Sequence, residues 1–126
     1  MSLNIKFNYM YRDASNYKAF GNVIFTNLGN INLTDINISL LNYFSNDRLF
    51  VASQIRIPEV FLYLKDNLTV DDHCFHEYMS VKFTTETEND KHGRSINEFI
   101  KEIGNQANLG WATFDPTDSF KINANV

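Results

Sequence analysis

Apolar and polar side chains alternate along the first quarter of the chain. In residues 3–11 the positions that share one face are all apolar or aromatic: Leu3, Ile5, Phe7, Tyr9 and Tyr11. Residues 17–26 alternate in the same way, and residues 12–16 between them carry side chains that bond their own backbone in turns. The pattern predicts a β-hairpin, in which Gly21 marks either a bulge or a close backbone approach.

Two later segments change to the period of a helix. Residues 33–44 repeat apolar side chains at helical spacing, and Asn32 or Thr34 is the expected N-cap. Residues 95–98, with the sequence Ser-Ile-Asn-Glu, have the pattern of a capping box and are followed by a second apolar stripe. Gly104 comes directly after that stripe, so we expect the second helix to end there.

The segments between and after these elements predict further strands. Residues 49–57 and 60–64 are short apolar runs separated by Pro58, which suggests two strands, or one strand and an edge segment. Residues 74–85 alternate without interruption and predict another strand. The element order is therefore β-β-α-β-β-β-α followed by a tail. It favours an α+β fold, with a mainly antiparallel sheet of about five strands and two helices packed on one face.

The length of 126 residues fits one ordinary domain. We assign residues 1–104 to a single α+β domain and residues 105–126 to a C-terminal aromatic tail. The tail carries Trp111, Phe114 and Phe120. Because clustered aromatic side chains mark contact surfaces, we expect the tail to dock on the core or to form a homodimer.

Charge and composition exclude several classes of partner. The net charge is −4 and the sequence has no run of Lys or Arg, whereas a nucleic-acid-binding protein needs a basic surface. No apolar stretch is long enough to cross a membrane, and no leader sequence is visible. The single Cys cannot form an intramolecular disulfide, which favours a reducing compartment. We therefore expect a cytoplasmic protein that binds neither nucleic acid nor membrane.

Titratable side chains are concentrated in residues 71–78. This stretch contains His73, His76, the only Cys of the chain and three carboxylates. On a helix the two histidines would share a face, but on a strand His73 lies with Glu77 while His76 lies with Cys74 on the opposite face. The predicted strand thus disfavours a chelating site, which needs its ligands about 2.0–2.3 Å from one ion.

We predict no catalytic residue, no metal and no cofactor. The alternative that remains open is a metal-assisted hydrolase-like enzyme using Asp72, His73, His76 and Glu77.

The hairpin loop is a second candidate site. Arg12 and Asp13 lie between two tyrosines, and loops on a rigid sheet often carry binding residues. The alternative is structural: Asp13 closes the turn and Arg12 pairs with a carboxylate. The candidate binding residues are Arg12, Asp13, Tyr17, His73, His76, Glu77 and Trp111.

Three motifs together resemble a group of short bacterial proteins of unassigned function. The hairpin, residues 11–18, resembles a YRDAGNYK-like motif in which Ser15 replaces the usual Gly. Residues 72–78 resemble a DHxWHE-like segment in which Phe75 replaces the usual Trp, and residues 95–99 resemble the start of the group's last helix. The resemblance covers about residues 3–103. It implies a bacterial intracellular protein, with no known activity, substrate or cofactor.

The sequence therefore predicts a small intracellular module that binds a protein partner and has no catalytic activity, and the resemblance implies a bacterial origin. The acidity of the chain would suit a basic partner through complementary charge.

Overall fold

The computed structural model of the chain describes residues 3–62 and 72–116. It contains two α-helices, a short 3₁₀ helix at Ala52–Ile55 and four strands. The helices are α1 (Leu33–Tyr43) and α2 (Ile96–Leu109), and the strands are β1 (Asn4–Arg12), β2 (Lys18–Phe25), β3 (Leu49–Phe50) and β4 (His76–Thr84). The strands form one antiparallel sheet in the order β2-β1-β4-β3. The fold is α+β, as the order of sequence patterns predicts.

The hairpin of β1 and β2 is closed by its own polar loop. The two strands pair continuously from Ile5 opposite Phe25 to Arg12 opposite Lys18. The Asp13 N–H donates to the Tyr17 carbonyl over 3.0 Å, and Asn16 takes the left-handed conformation with φ 70°. Asn tolerates this conformation better than most residues, which explains the tight turn.

Gly21 marks a close approach rather than a bulge. A Cβ atom at this position would lie 2.9 Å from Tyr9 Cζ and 3.0 Å from Val60 Cγ1. Tyr9 is fully buried and donates from its hydroxyl to the Pro58 carbonyl over 2.7 Å, so its ring has little freedom to move.

The two apolar runs after α1 do not form the strands that the sequence predicts. Only Leu49 and Phe50 extend the sheet, and the chain then turns into the 3₁₀ helix. Arg56 ends that helix in the left-handed conformation, with φ 58°. Residues 60–62 lie outside any strand, and residues 63–64 lie outside the described residues. A fifth strand is therefore not confirmed among the described residues, because short apolar runs fit a buried turn as well as a strand.

Helix α2 also continues beyond its predicted end. It begins with the expected Ser95–Glu98 capping box but passes through Gly104 and is capped by Gly110, with φ 95°. Gly104 is buried, and a Cβ atom there would lie 2.8 Å from Tyr43 Cζ. The glycine lets α2 approach the Tyr43 ring of α1, and this contact explains its place inside a helix.

Aromatic side chains dominate the core. Phe7 of β1 lies in the middle, with its ring centroid 5.1 Å from that of Phe99 on α2 and 5.5 Å from that of Tyr78 on β4. The Tyr78 hydroxyl donates to Asn37 Oδ1 of α1 over 2.7 Å, which satisfies the buried phenol.

Within the described residues, no helix is both long and apolar enough to cross a membrane.

Arg94 is a charged side chain inside this structure, only 5% exposed. Its Nε and Nη2 donate to the two carboxylate oxygens of Asp90, each over 2.9 Å. Nη1 donates to the Ile55 carbonyl over 2.7 Å and to the Glu102 carboxylate, and Nη2 also donates to the Arg56 carbonyl over 3.0 Å. All five guanidinium N–H groups are thus used, and they join three separate segments of the chain.

The ion pair of Arg94 and Asp90 depends on pH in a defined direction. Burial favours the neutral carboxyl group, but the hydrogen bonds and charge of Arg94 hold the pKa of Asp90 below its ordinary value. The carboxylate therefore stabilises the fold above the pKa it has when unfolded. This contribution is lost as the pH falls through the lower folded value.

Replacing Arg94 with lysine tests its role as a junction. Arg94→Lys keeps the charge but cannot supply five donors in a planar fork, so buried acceptors lose their partners. We expect the free energy of unfolding in urea to fall by about 3 kcal/mol, the lower end of the range for breaking buried ion pairs. The control, Lys6→Arg at the exposed ion pair with Glu86, should cost less than about 1 kcal/mol. Equal effects of the two changes would contradict a special role for Arg94.

Replacing Gly21 with alanine tests the close approach to Tyr9. The added methyl group overlaps a ring that is fixed by burial, and we expect a loss of about 1–3 kcal/mol in the free energy of unfolding. Asn22→Ala, on the exposed neighbouring residue, is the control and should change stability by less than about 0.5 kcal/mol. Thermal unfolding followed by circular dichroism compares them.

Candidate functional site

A small cleft opens where β1 ends and β4 begins. It has a volume of about 280 Å³ and is lined by Arg12, Asp13, Leu49, His73, Phe75 and Glu77. The pairing of the strands explains part of this set, since Met10 and Leu49 both lie opposite Glu77 on neighbouring strands. Residues that face each other across a ladder point to the same side of the sheet, so Leu49 and Glu77 share one face.

Arg12 is partly held by its neighbours. Its Nη1 donates to Asn16 Oδ1 over 2.9 Å, and its Nη2 lies 3.4 Å from Glu77 Oε2. Its Nε is buried and has no hydrogen-bond partner among the described residues. Asp13 Oδ1 accepts from the Tyr17 N–H over 2.9 Å. The turn-closing role of Asp13 and the ion pair of Arg12 are thus both present, in residues that also line the cleft.

The ring of His73 is fixed through both nitrogens. Nε2 lies 2.6 Å from the Arg12 carbonyl oxygen, and Nδ1 lies 3.0 Å from the Phe75 N–H. A carbonyl can only accept and an N–H can only donate, so these partners assign the neutral tautomer with its proton on Nε2. Neither nitrogen is left with a lone pair for a metal ion.

Tyr11 of β1 holds the backbone segment that carries Asp72 and His73. Its hydroxyl donates to Asp72 Oδ1 over 2.6 Å and accepts from the His73 N–H over 3.2 Å. The Tyr11 side chain is fully buried, so the segment that carries His73 is anchored to β1.

His76 lies on the opposite face, fully buried. Its Nε2 accepts from the Val60 N–H over 2.9 Å, while Nδ1 is buried with no partner among the described residues. Among the described residues its closest aromatic neighbour is Phe61, with ring centroids 4.5 Å apart and the rings edge to face. Burial, and to a lesser extent the nearby His73, lowers the pKa of His76 from 6.5 to about 4.

The structure divides the 71–78 stretch between two faces. His73, Phe75 and Glu77 border the cleft, while Cys74 and His76 are buried. Within the described part of the chain, no three His, Cys, Asp or Glu side chains are placed to hold a metal ion. The set of Asp72, His73, His76 and Glu77 therefore does not converge on one point. Asp71 lies outside the described residues.

One expectation about this strand is wrong. The alternation of residues 74–85 does not continue unbroken, because the ladder between β1 and β4 shifts register between Asn8 and Tyr9. Tyr78 lies opposite Tyr9 on the core face of the sheet. Val81, three residues further along β4, lies opposite Phe7 on that same face. The bulge reverses the phase of alternation, which brings the first residues of β4 to the faces described above.

The other candidate binding residues lie away from the cleft. Tyr17 is at the tip of the hairpin and is 69% exposed. Trp111 packs partly buried against the core, with its ring centroid 6.3 Å from that of Phe44. Gln54 fixes this part of the tail, since it accepts from the Ala112 N–H over 2.7 Å and donates to the Gly110 carbonyl over 3.0 Å. Residues 117–126, including Phe120, lie outside the described residues.

Sequence reasoning missed the two apolar walls of the cleft, Leu49 and Phe75. Leu49 reaches the cleft because β3 pairs with β4, a contact between distant segments that leaves no local signal. The alternation of side chains along a strand could have indicated Phe75, because it lies two residues from both His73 and Glu77 and therefore on the same face.

Comparisons with known proteins add no further assignment. No family model, no curated protein and no solved structure matches this chain.

The low pKa of His76 makes stability depend on pH. The unfolded chain binds a proton at His76 near pH 6.5, whereas the folded protein binds it only near pH 4. The contribution of neutral His76 is therefore complete above about pH 6.5 and is lost as the pH falls towards 4, by roughly 3 kcal/mol in all.

The variant His76→Gln removes the titrating group but keeps an acceptor for the Val60 N–H. We expect it to be less stable than the natural protein at pH 7, yet to lose roughly 3 kcal/mol less between pH 6.5 and pH 4. Urea unfolding at several pH values measures this difference. The control Ile103→Val changes the core without a titrating group and should leave the pH dependence unaltered. An unchanged pH dependence in His76→Gln would contradict the assignment.

Proposed function

We propose that this protein is a non-catalytic binding module that recognises a basic side chain of a partner protein in the cleft beside His73. The observation that carries the proposal is the composition of the cleft. Two carboxylates, Asp13 and Glu77, stand against one guanidinium, and Leu49 and Phe75 form apolar walls. A lysine or arginine side chain suits this combination, since its alkyl stem packs on apolar surface while its charged end meets a carboxylate.

The fixed geometry of the cleft supports recognition. His73 is held through both ring nitrogens, and Arg12 is bonded to Asn16 on the hairpin. Side chains that are ordered before binding lose less conformational entropy when a partner arrives. The pair of Arg12 and Glu77 is long, at 3.4 Å, which leaves the Glu77 carboxylate able to accept from a stronger donor.

The size of the cleft favours one side chain over a whole small molecule. Its volume of about 280 Å³ lies just below the lower end of the range of about 300–1,000 Å³ that is typical of small-molecule sites. The remainder of a partner would then lie on the surrounding surface.

The proposal takes both helices to lie on the core face of the sheet, which leaves the face around Glu77 open. It also retains the bacterial origin and cytoplasmic localisation expected from the sequence.

A peptide library displayed on phage and selected against the immobilised full chain tests the proposal. We expect the enriched peptides to share a Lys or Arg anchor. Their affinity for Glu77→Gln should be about tenfold lower than for the natural protein, which corresponds to losing about 1.4 kcal/mol. Glu59→Gln is the matched control, because Glu59 is an exposed glutamate outside the cleft and the charge change is the same.

Two results would contradict the proposal. One is enrichment of peptides without any basic residue. The other is an equal loss of affinity in Glu77→Gln and Glu59→Gln, which would indicate a general effect of net charge. Circular dichroism of each variant shows whether its fold is retained.

A further inference from the structure

Strand β2 lies at an edge of the sheet, and one end of its free side is closed. The Ile24 N–H donates to Asn89 Oδ1 over 2.8 Å, and the Asn89 N–H donates to the Ile24 carbonyl over 3.0 Å. The backbone of Ile24 therefore points away from β1. Because backbone direction alternates along a strand, the N–H and C=O groups of Asn22, Phe20 and Lys18 point outwards as well.

These three residues form an open edge. No described residue donates to or accepts from the outward backbone groups of Lys18, Phe20 or Asn22. The side chain of Phe20 is 63% exposed on the same strand. Proteins usually protect such an edge with proline, a bulge, several charges or a covering loop, and here only Lys18 supplies a charge.

A cleft of about 460 Å³ lies beside this edge, on the side of the sheet that Val23 faces. Its walls include Val23, Ile57 and Pro58, and its cationic side chains are Arg56 and Lys91. Asp90 also borders the cleft, but its carboxylate is held by Arg94. Arg56 is paired as well, with Glu102 over 2.8 Å, so the cleft offers apolar surface together with the charge of Lys91.

We propose that a second copy of this chain pairs with the open edge, antiparallel and about a two-fold axis. In the register that we propose, Phe20 lies opposite Phe20 of the second copy, and Lys18 lies opposite Asn22. Each pair of this type exchanges two N–H···O bonds, so the three pairs supply about six hydrogen bonds. The contact is self-complementary, as a two-fold interface requires.

The structure distinguishes this register from its neighbours. Sliding the strands in one direction places Lys18 or Phe20 opposite Ile24, whose backbone groups are already bound to Asn89. Sliding them the other way brings Asn16 into the ladder, and Asn16 is in the left-handed conformation of the turn. Only the register centred on Phe20 uses all three open residues without meeting either obstacle.

The same register brings a side chain to the neighbouring cleft. Tyr17 of the second copy lies opposite Val23 and on the same side of the sheet, because it directly precedes Lys18. Tyr17 is the most exposed of the described tyrosines and phenylalanines, and Val23 forms a wall of the cleft.

Disulfide trapping of the full chain tests the register. Opposed residues of a hydrogen-bonded pair have Cα atoms about 5.5 Å apart, which is within reach of a disulfide. Under mild oxidation we expect Phe20→Cys to form a covalent dimer at least about tenfold faster than Leu28→Cys, a control at a loop residue that is 82% exposed. The native Cys74 is buried and does not compete.

A mixing experiment makes the test specific for the alignment. Lys18→Cys alone should dimerise no faster than the Leu28→Cys control, but a mixture of Lys18→Cys and Asn22→Cys should form the mixed dimer. Light scattering of the natural protein should show its mass rising with concentration, and Tyr17→Ser should weaken this association by about tenfold.

Several outcomes would overturn the proposal. They are trapping of Phe20→Cys at the rate of the Leu28→Cys control, faster trapping of Lys18→Cys alone than of Phe20→Cys, and a strictly monomeric mass at all concentrations. A monomeric protein that binds an extended peptide at this edge would also overturn it, because the edge would then serve another protein.

Discussion

The buried guanidinium of Arg94 holds together three separate segments of the chain. It joins the loop at Asp90, the end of the 3₁₀ helix at Ile55 and Arg56, and the middle of α2 at Glu102. Its Cζ atom also lies 4.9 Å from the Phe99 ring centroid, over the face of a core aromatic. The loop that carries Asp90 in turn supplies Asn89, which fixes the edge of β2. One satisfied charge therefore positions both an internal junction and an outer edge.

One face of the sheet packs into the core and the other borders the cleft. The bulge in β4 determines which side chains point to each face. Tyr78 and His76 enter the aromatic core, whereas Glu77 lies beside Leu49 at the cleft. Without the extra residue, the first half of β4 would present the opposite set of side chains. The core also fixes the cleft from behind, through the Tyr11 hydroxyl and its bond to Asp72. Core packing and cleft geometry are thus consequences of the same strand pairing.

Local signals in the sequence were sufficient for the hairpin, for both helix starts and for the separation of His73 from His76. They were insufficient where distant segments decide. Gly104 has the chemistry of a helix stop, but the Tyr43 ring explains why a glycine is needed inside the helix. The run after α1 is apolar enough for a strand, yet its carbonyls at Ile55 and Arg56 accept from Arg94 in a turn. The bulge in β4 leaves no mark either, since polar and apolar residues fit both phases of its alternation.

The two hydrogen bonds between Asn89 and the backbone of Ile24 have a consequence for the size of any assembly that forms through the sheet edge. An edge strand that stays open along its whole length can recruit copy after copy, which is the route to fibres. Here Asn89 ends the free stretch of β2, and β3 at the other side of the sheet is only two residues long. A sheet with one short open edge, and with a second edge strand too short to pair with a neighbour, adds no further strands once the open edge is covered. The amide of a single loop residue thereby shortens the open stretch of the edge to Lys18, Phe20 and Asn22.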